Sequence, residues 1–104
     1  MVELIKSLKT VSINQAPLIF VDQEGGRVQR FKNNEFIKYP PQKFFGDIYD
    51  ADKKRAEKLS YINARLIAYE LKEVGVDVNC SPVLDVFFQN GDAIIGNRSF
   101  SSDS

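Results

Sequence analysis

Apolar residues Leu4, Ile5, Leu8 and Val11 recur three or four positions apart, so residues 2–11 are predicted to form a helix with one buried face. The run Pro17-Leu18-Ile19-Phe20-Val21 is apolar without alternation, the pattern of a strand covered on both faces of a parallel sheet, and Asp22 stands at its carboxyl end. Periodicity then lapses. Gly25, Gly26, Asn33, Asn34, Pro40, Pro41 and Gly46 punctuate what reads as one long loop over residues 25–46. A second helix is expected beyond it. Asp50 or Asp52 offers its cap, Leu59, Ile62, Leu66, Ile67, Leu71 and Val74 its core face, and Gly75 its stop in the left-handed position. Val76, Val78 and Cys80 alternate with Asp77 and Asn79 and lead into Pro82-Val83-Leu84-Asp85-Val86, which predicts a second strand with another loop after it. Cys80 is expected to be a small core residue.

Helix, strand, loop, helix, strand, loop in this order implies an α/β fold with a parallel sheet, whose ligands gather at the carboxyl ends of the strands. Asp22 and the region after Asp85 both fall there. No internal repeat or linker divides the chain, so residues 1–104 read as one unit, short for a complete parallel sheet covered on both sides.

Composition narrows the chemistry. With 43% hydrophobic and 12% aromatic residues the chain can bury a core, which argues against disorder. Fourteen basic residues balance fourteen acidic ones without a block of either sign, so neither nucleic acid nor a membrane surface is an expected partner. The longest apolar run, Ala16 to Val21, is too short to span a bilayer, and no signal peptide is read at the start. A single cysteine excludes an internal disulfide and suits a reducing, cytoplasmic setting. Histidine is absent, which removes the usual general base near neutral pH and the commonest zinc ligand. No metal or organic cofactor is expected, and any chemistry must rest on carboxylates.

Asp22, at the carboxyl end of a strand, can accept two hydrogen bonds from a ligand; the plainer alternative is a loop cap or an ion pair with Arg27. Arg30 carries five donors in a fixed fork, matched to hydroxyl oxygens or to a partner carboxylate. Arg98 by itself reads as a surface or loop-bracing residue. Glu24 is a tempting catalytic carboxylate in a chain whose chemistry must rest on such groups. Gly25 and Gly26 suit positive-φ positions or close backbone approach, and no Lys-Ser/Thr follows them as in a phosphate-binding loop.

The segment Val21-Asp22-Gln23-Glu24-Gly25-Gly26-Arg27-Val28-Gln29-Arg30-Phe31 resembles the hallmark segment of family 3 glycoside hydrolases, in particular the bacterial β-N-acetylhexosaminidase type. VDVNCSPVLDV at 76–86 and IIGNRSF at 94–100 agree with it in order and spacing, so the resemblance covers most of residues 17–100. It implies part of a (β/α)8-type barrel, two to three βα units of it, and Asp22, Arg30 and Arg98 as ligands of the sugar. It also implies that this chain holds no catalytic residue: the family's aspartate nucleophile and histidine acid/base both lie beyond it. The implied parent activity is retaining removal of terminal β-linked N-acetylglucosamine, from cell-wall fragments, in the cytoplasm. Asp85 is expected to brace the rim of the barrel, and Arg27 to brace its loop. Asn97 stands where many relatives carry aspartate, which leaves Arg98 without that charged neighbour. The alternative is a non-catalytic sugar-binding or assembly module completed by a second chain, or the product of an interrupted gene.

Overall fold

The computed structural model describes residues 1–11 and 14–103. Its elements are α1 (Val2–Val11), β1 (Phe20–Val21), β2 (Gln23–Gly25), β3 (Val28–Gln29), α2 (Gln42–Ala51), α3 (Lys53–Glu73), β4 (Val78–Asn79) and a single 3-10 turn at Gly96–Arg98. β1 pairs with β4 in parallel, Phe20 opposite Val78 and Val21 opposite Asn79. The parallel α/β class is thus observed, with 56 residues and two helices between the paired strands. The ladders are much shorter than the apolar runs: only Phe20–Val21 of the predicted 17–21 strand and Val78–Asn79 of the second are extended in register.

α3 begins where its sequence allows. The Asp52 carboxylate accepts the Arg55 N–H at 3.0 Å, so Asp52 rather than Asp50 is the cap. It ends at Gly75, whose φ of +86° is disfavoured for any side chain bearing Cβ. There Val76 N–H donates to the Leu71 carbonyl at 2.9 Å and Gly75 N–H to the Lys72 carbonyl at 3.1 Å, the paired bonds of a Schellman stop. Ile67 and Leu71 are buried and Leu59 and Val74 half-buried, while Ile62 and Leu66 are more than two-fifths exposed, so part of the predicted core face is left uncovered among the described residues. α1 likewise buries Ile5 and leaves Leu4, Leu8 and Val11 exposed. The core lies between the two: Ile5, Phe31, Tyr39, Ile67, Leu71 and Val76, flanked by Ile19, Val21 and Phe36.

Residues 25–46 are not one loop. β2 and β3 form an antiparallel hairpin, and α2 starts after Pro41. Gly46, read as loop punctuation, lies inside α2, and it is glycine there because a Cβ would overlap the carbonyl oxygen of Phe100. Cys80 is exposed, not core, because the two-stranded sheet has no further strand beside it among the described residues. Asp85 is exposed as well, and the bond at this rim is made through its backbone: the Ser99 hydroxyl lies 2.8 Å from the Asp85 carbonyl oxygen. Among the described residues no helix is long and apolar enough to cross a membrane.

Candidate functional site

The hairpin that follows β1 is built on two glutamines. Gln23 is 1% exposed and faces Gln29 across the hairpin. Its side-chain oxygen accepts the N–H of Arg30 at 2.8 Å and of Phe31 at 3.1 Å. Gln29, also buried, donates to the carbonyls of Phe31 and Ile37 at 2.8 and 2.7 Å and accepts the Tyr39 N–H at 3.1 Å. A buried peptide group without a partner costs about 1–3 kcal/mol, so these amides hold the chain from Arg30 to Tyr39 where no regular ladder does. Asn79 attaches the hairpin to β4 with two reciprocal 2.9 Å bonds to the Gln23 backbone. Glu70 of α3 fastens the far end, accepting from the Tyr39 hydroxyl at 2.6 Å and the Ile37 N–H at 3.0 Å. That carboxylate and the burial of the phenol, the larger effect, push the Tyr39 hydroxyl well above the usual tyrosine range.

The turn needs glycine. Gly25 has φ of +98°, and a Cβ on it would overlap the Pro40 carbonyl oxygen. The turn carries Arg27 outward, where its Nη2 lies 3.0 Å from the carbonyls of Ala93 and of Ile95 and also contacts that of Ile94. Arg27 is therefore the loop-bracing residue anticipated, although the strand of chain it braces is the one that bears Arg98.

Two ion pairs crown the hairpin. Asp22 meets Arg30 at 3.3 Å, not Arg27, and both side chains are about half exposed. A pair of that kind is worth about 0–1 kcal/mol, so either partner can be drawn to another ligand at little cost. Glu24 meets Arg98 in a two-pronged contact, Nε to Oε2 at 2.9 Å and Nη2 to Oε1 at 2.8 Å. Here the side chains are only 4% and 21% exposed, so the Glu24 carboxylate, the more buried partner, depends on the Arg98 guanidinium for its hydrogen bonds. The Glu24 hydrogen bond, with smaller contributions from the carboxylates of Asp85 and Asp22, raises the Arg98 pKa above the usual arginine value.

Asp22, Arg30 and Arg98 are thus gathered in one electrostatic neighbourhood at the carboxyl end of β1. They do not line a common enclosed cavity among the described residues. A cavity of about 280 Å³ has Glu24, the Arg98 partner, in its wall with Gln42, Asn79 and Phe100, and lies against α3. The sequence reading did not find the parts played by Gln23, Gln29 and Gln42. Two glutamines flanking a Gly-Gly turn were the available signal for the first two. Among the described residues no cluster of three or more Cys, Asp or Glu could hold a metal ion.

The carboxyl end of a parallel strand thus carries two carboxylate–arginine pairs on an α/β scaffold. The chain belongs to glycosyl hydrolase family 3: the family's N-terminal domain matches residues 1–104. It is 41% identical over 99 residues to a beta-hexosaminidase of Chromobacterium violaceum, an alignment covering 95% of this chain and 26% of that protein. A Bordetella pertussis beta-hexosaminidase is 41% identical over 87 residues, 84% of this chain and 24% of that one. The crystal structure of Neisseria gonorrhoeae NagZ in complex with N-trifluoroacetyl-D-glucosamine superposes with a TM-score of 0.86 at 37% identity, over 97% of this chain and 29% of that one. The chain therefore spans about a quarter of the length of the curated relatives it matches.

Proposed function

We propose that this chain supplies part of the sugar-binding wall of a retaining glycosidase that removes terminal β-linked N-acetylglucosamine. The observation carrying this reading is the loose Asp22–Arg30 pair beside the buried Glu24–Arg98 fork. In it Asp22 accepts from sugar hydroxyls, and Arg30 and Arg98 donate to sugar oxygens. β1 and β4 are neighbouring strands of a (β/α)8-type barrel, a fold that needs about 250 residues in all. Their parallel pairing and the likeness to NagZ support that assignment. The substrate comes from cell-wall fragments and is met in the cytoplasm. No metal or organic cofactor takes part.

The chain alone does not hydrolyse the substrate. A retaining mechanism needs a nucleophile and an acid/base about 5–5.5 Å apart. Glu24 has both oxygens committed to Arg98, and the chain has no histidine. Exposed Phe20, Leu84 and Phe88 favour a second reading, in which a partner chain covers them and this chain only binds sugar.

The test grafts residues 1–104 in place of the matching segment of the Chromobacterium violaceum beta-hexosaminidase and assays a chromogenic β-N-acetylglucosaminide. Turnover by the graft, absent from the chain alone, supports the reading; a graft that melts like its parent without turnover overturns it. In the active graft Arg30→Lys loses one charged hydrogen bond, about 1.5–3 kcal/mol, or roughly 10- to 150-fold in kcat/KM. Arg27→Lys costs much less, because an ammonium also suits three carbonyl oxygens. Equal losses at the two positions would mean that the sugar contact belongs to a different arginine.

A further inference from the structure

The sugar-binding reading leaves one group without a task. Glu24 is a carboxylate with 4% of its side chain exposed, and a charge taken that far from water persists only when paired and hydrogen-bonded. Both of its oxygens are occupied by Nε and Nη2 of Arg98. We infer that Glu24 is a positioning residue, which fixes the plane of the Arg98 guanidinium so that the outer Nη2–H and the Nη1 hydrogen not turned toward the Ile94 carbonyl, 3.4 Å away, are the donors left for a sugar oxygen. This inference rests on the sugar-binding reading.

Three observations separate orientation from simple support. First, the backbone around Arg98 is fastened without Glu24. Arg27 holds the carbonyls of residues 93–95. The buried Gln42 amide, with its nitrogen turned inward, donates to the Arg98 carbonyl at 2.9 Å. The Ser99 hydroxyl sits 2.8 Å from the carbonyls of Asp85 and Ser101. Removing the Glu24 charge therefore frees the guanidinium and not the loop. Second, a fork-on-fork pair fixes an angle as well as a distance, which a single contact cannot do. Third, rival acceptors are close by: the carboxylates of Asp22 and Asp85 both act on Arg98. A guanidinium released from Glu24 is captured by one of them. Capture by Asp22 removes two sugar contacts together, because Asp22 is itself assigned to the sugar. The neighbouring Asn97 is neutral and exposed, so it offers no anionic replacement.

The test uses the full 104-residue chain in the graft described above. Glu24→Gln is expected to lower kcat/KM about 10- to 150-fold, the range for losing one charged hydrogen bond. The loss falls mainly on KM and on inhibition by free N-acetylglucosamine, since the contact exists in the ground state. Both limbs of the pH profile stay in place, because Glu24 exchanges no proton in the reaction. Glu24→Asp, one methylene short of the fork, falls in between. The double variant Glu24→Gln/Arg98→Ala is no worse than Arg98→Ala alone, as for two groups acting as one unit. A Glu24→Gln graft within threefold of the unsubstituted one, a shifted acidic limb, or losses that multiply in the double variant would overturn the inference. Should Glu24→Gln not fold, Glu24→Asp carries the test, since it keeps the charge and leaves Arg98 intact but is too short for the two-pronged contact. A rise in KM is then expected, and a change under threefold overturns the proposal. A folded, inactive unsubstituted graft overturns both readings; an active graft indifferent to Glu24 overturns this one alone.

Discussion

Expressed by itself, the 104-residue chain is expected to unfold without a cooperative thermal transition. Its accessible surface is 7707 Å², against about 5,900 Å² for a compact monomer of the same mass. The radius of gyration is 15.8 Å, where about 13 Å is usual for this length. The excess of roughly 1,800 Å² would be a little over half apolar, about 1,000 Å². At about 25 cal/mol per Å² the burial forgone is about 25 kcal/mol, larger than the whole net stability of about 5–15 kcal/mol that holds a small domain folded. The exposed surface includes Leu84, 87% accessible, with Leu18, Phe20 and Phe88. Scanning calorimetry should give a broad, low-enthalpy profile, and a hydrophobic dye should bind at room temperature. A sharp peak from a monodisperse monomer, with matching calorimetric and van't Hoff enthalpies, would refute the surface argument.

Three further outcomes follow, all read in the graft. Gln23→Leu strands the N–H groups of Arg30 and Phe31, costs about 2–6 kcal/mol at about 1–3 for each, and lowers the apparent Tm; an unchanged Tm would show that the hairpin does not depend on this amide. Gly25→Ala must hold φ near +98° against the Pro40 carbonyl, which costs about 1–3 kcal/mol for the backbone alone, and a neutral Tm would mean that the turn relaxes freely. Asp77 sits below its ordinary pKa of 3.8 because it accepts the Ile19 N–H and, second, the Lys9 ammonium. A depressed carboxylate stabilises the fold above its ordinary value and loses that contribution as pH falls through the folded one. The advantage of the natural chain over Asp77→Asn should therefore shrink as pH drops from 5 toward about 2. A difference in urea midpoint that stays constant over that range would remove the ion pair from the account.

Local periodicity was enough for α1, for α3 with its Asp52 cap and Gly75 stop, and for two apolar strands in a parallel α/β order, because helix and strand repeats depend on neighbours within a few residues. The Asp22-to-Arg30 motif was legible as a family motif for the same reason: its residues are contiguous. α2 was not, since Gly46 serves an approach to Phe100, 54 residues away, and no local pattern separates such a glycine from a loop glycine. How much of each apolar face is covered was also undetermined by the sequence, as Ile62, Leu66 and Cys80 show. That depends on which surfaces are present to meet them. Pairing of charges is the clearest case. Arg27, Arg30 and Arg98 carry the same group, and only the three-dimensional arrangement gives Arg27 to backbone carbonyls, Arg30 to Asp22, and Arg98 to Glu24 across 74 residues of chain. A guanidinium takes the acceptors its location desolvates, and location is a property of the fold.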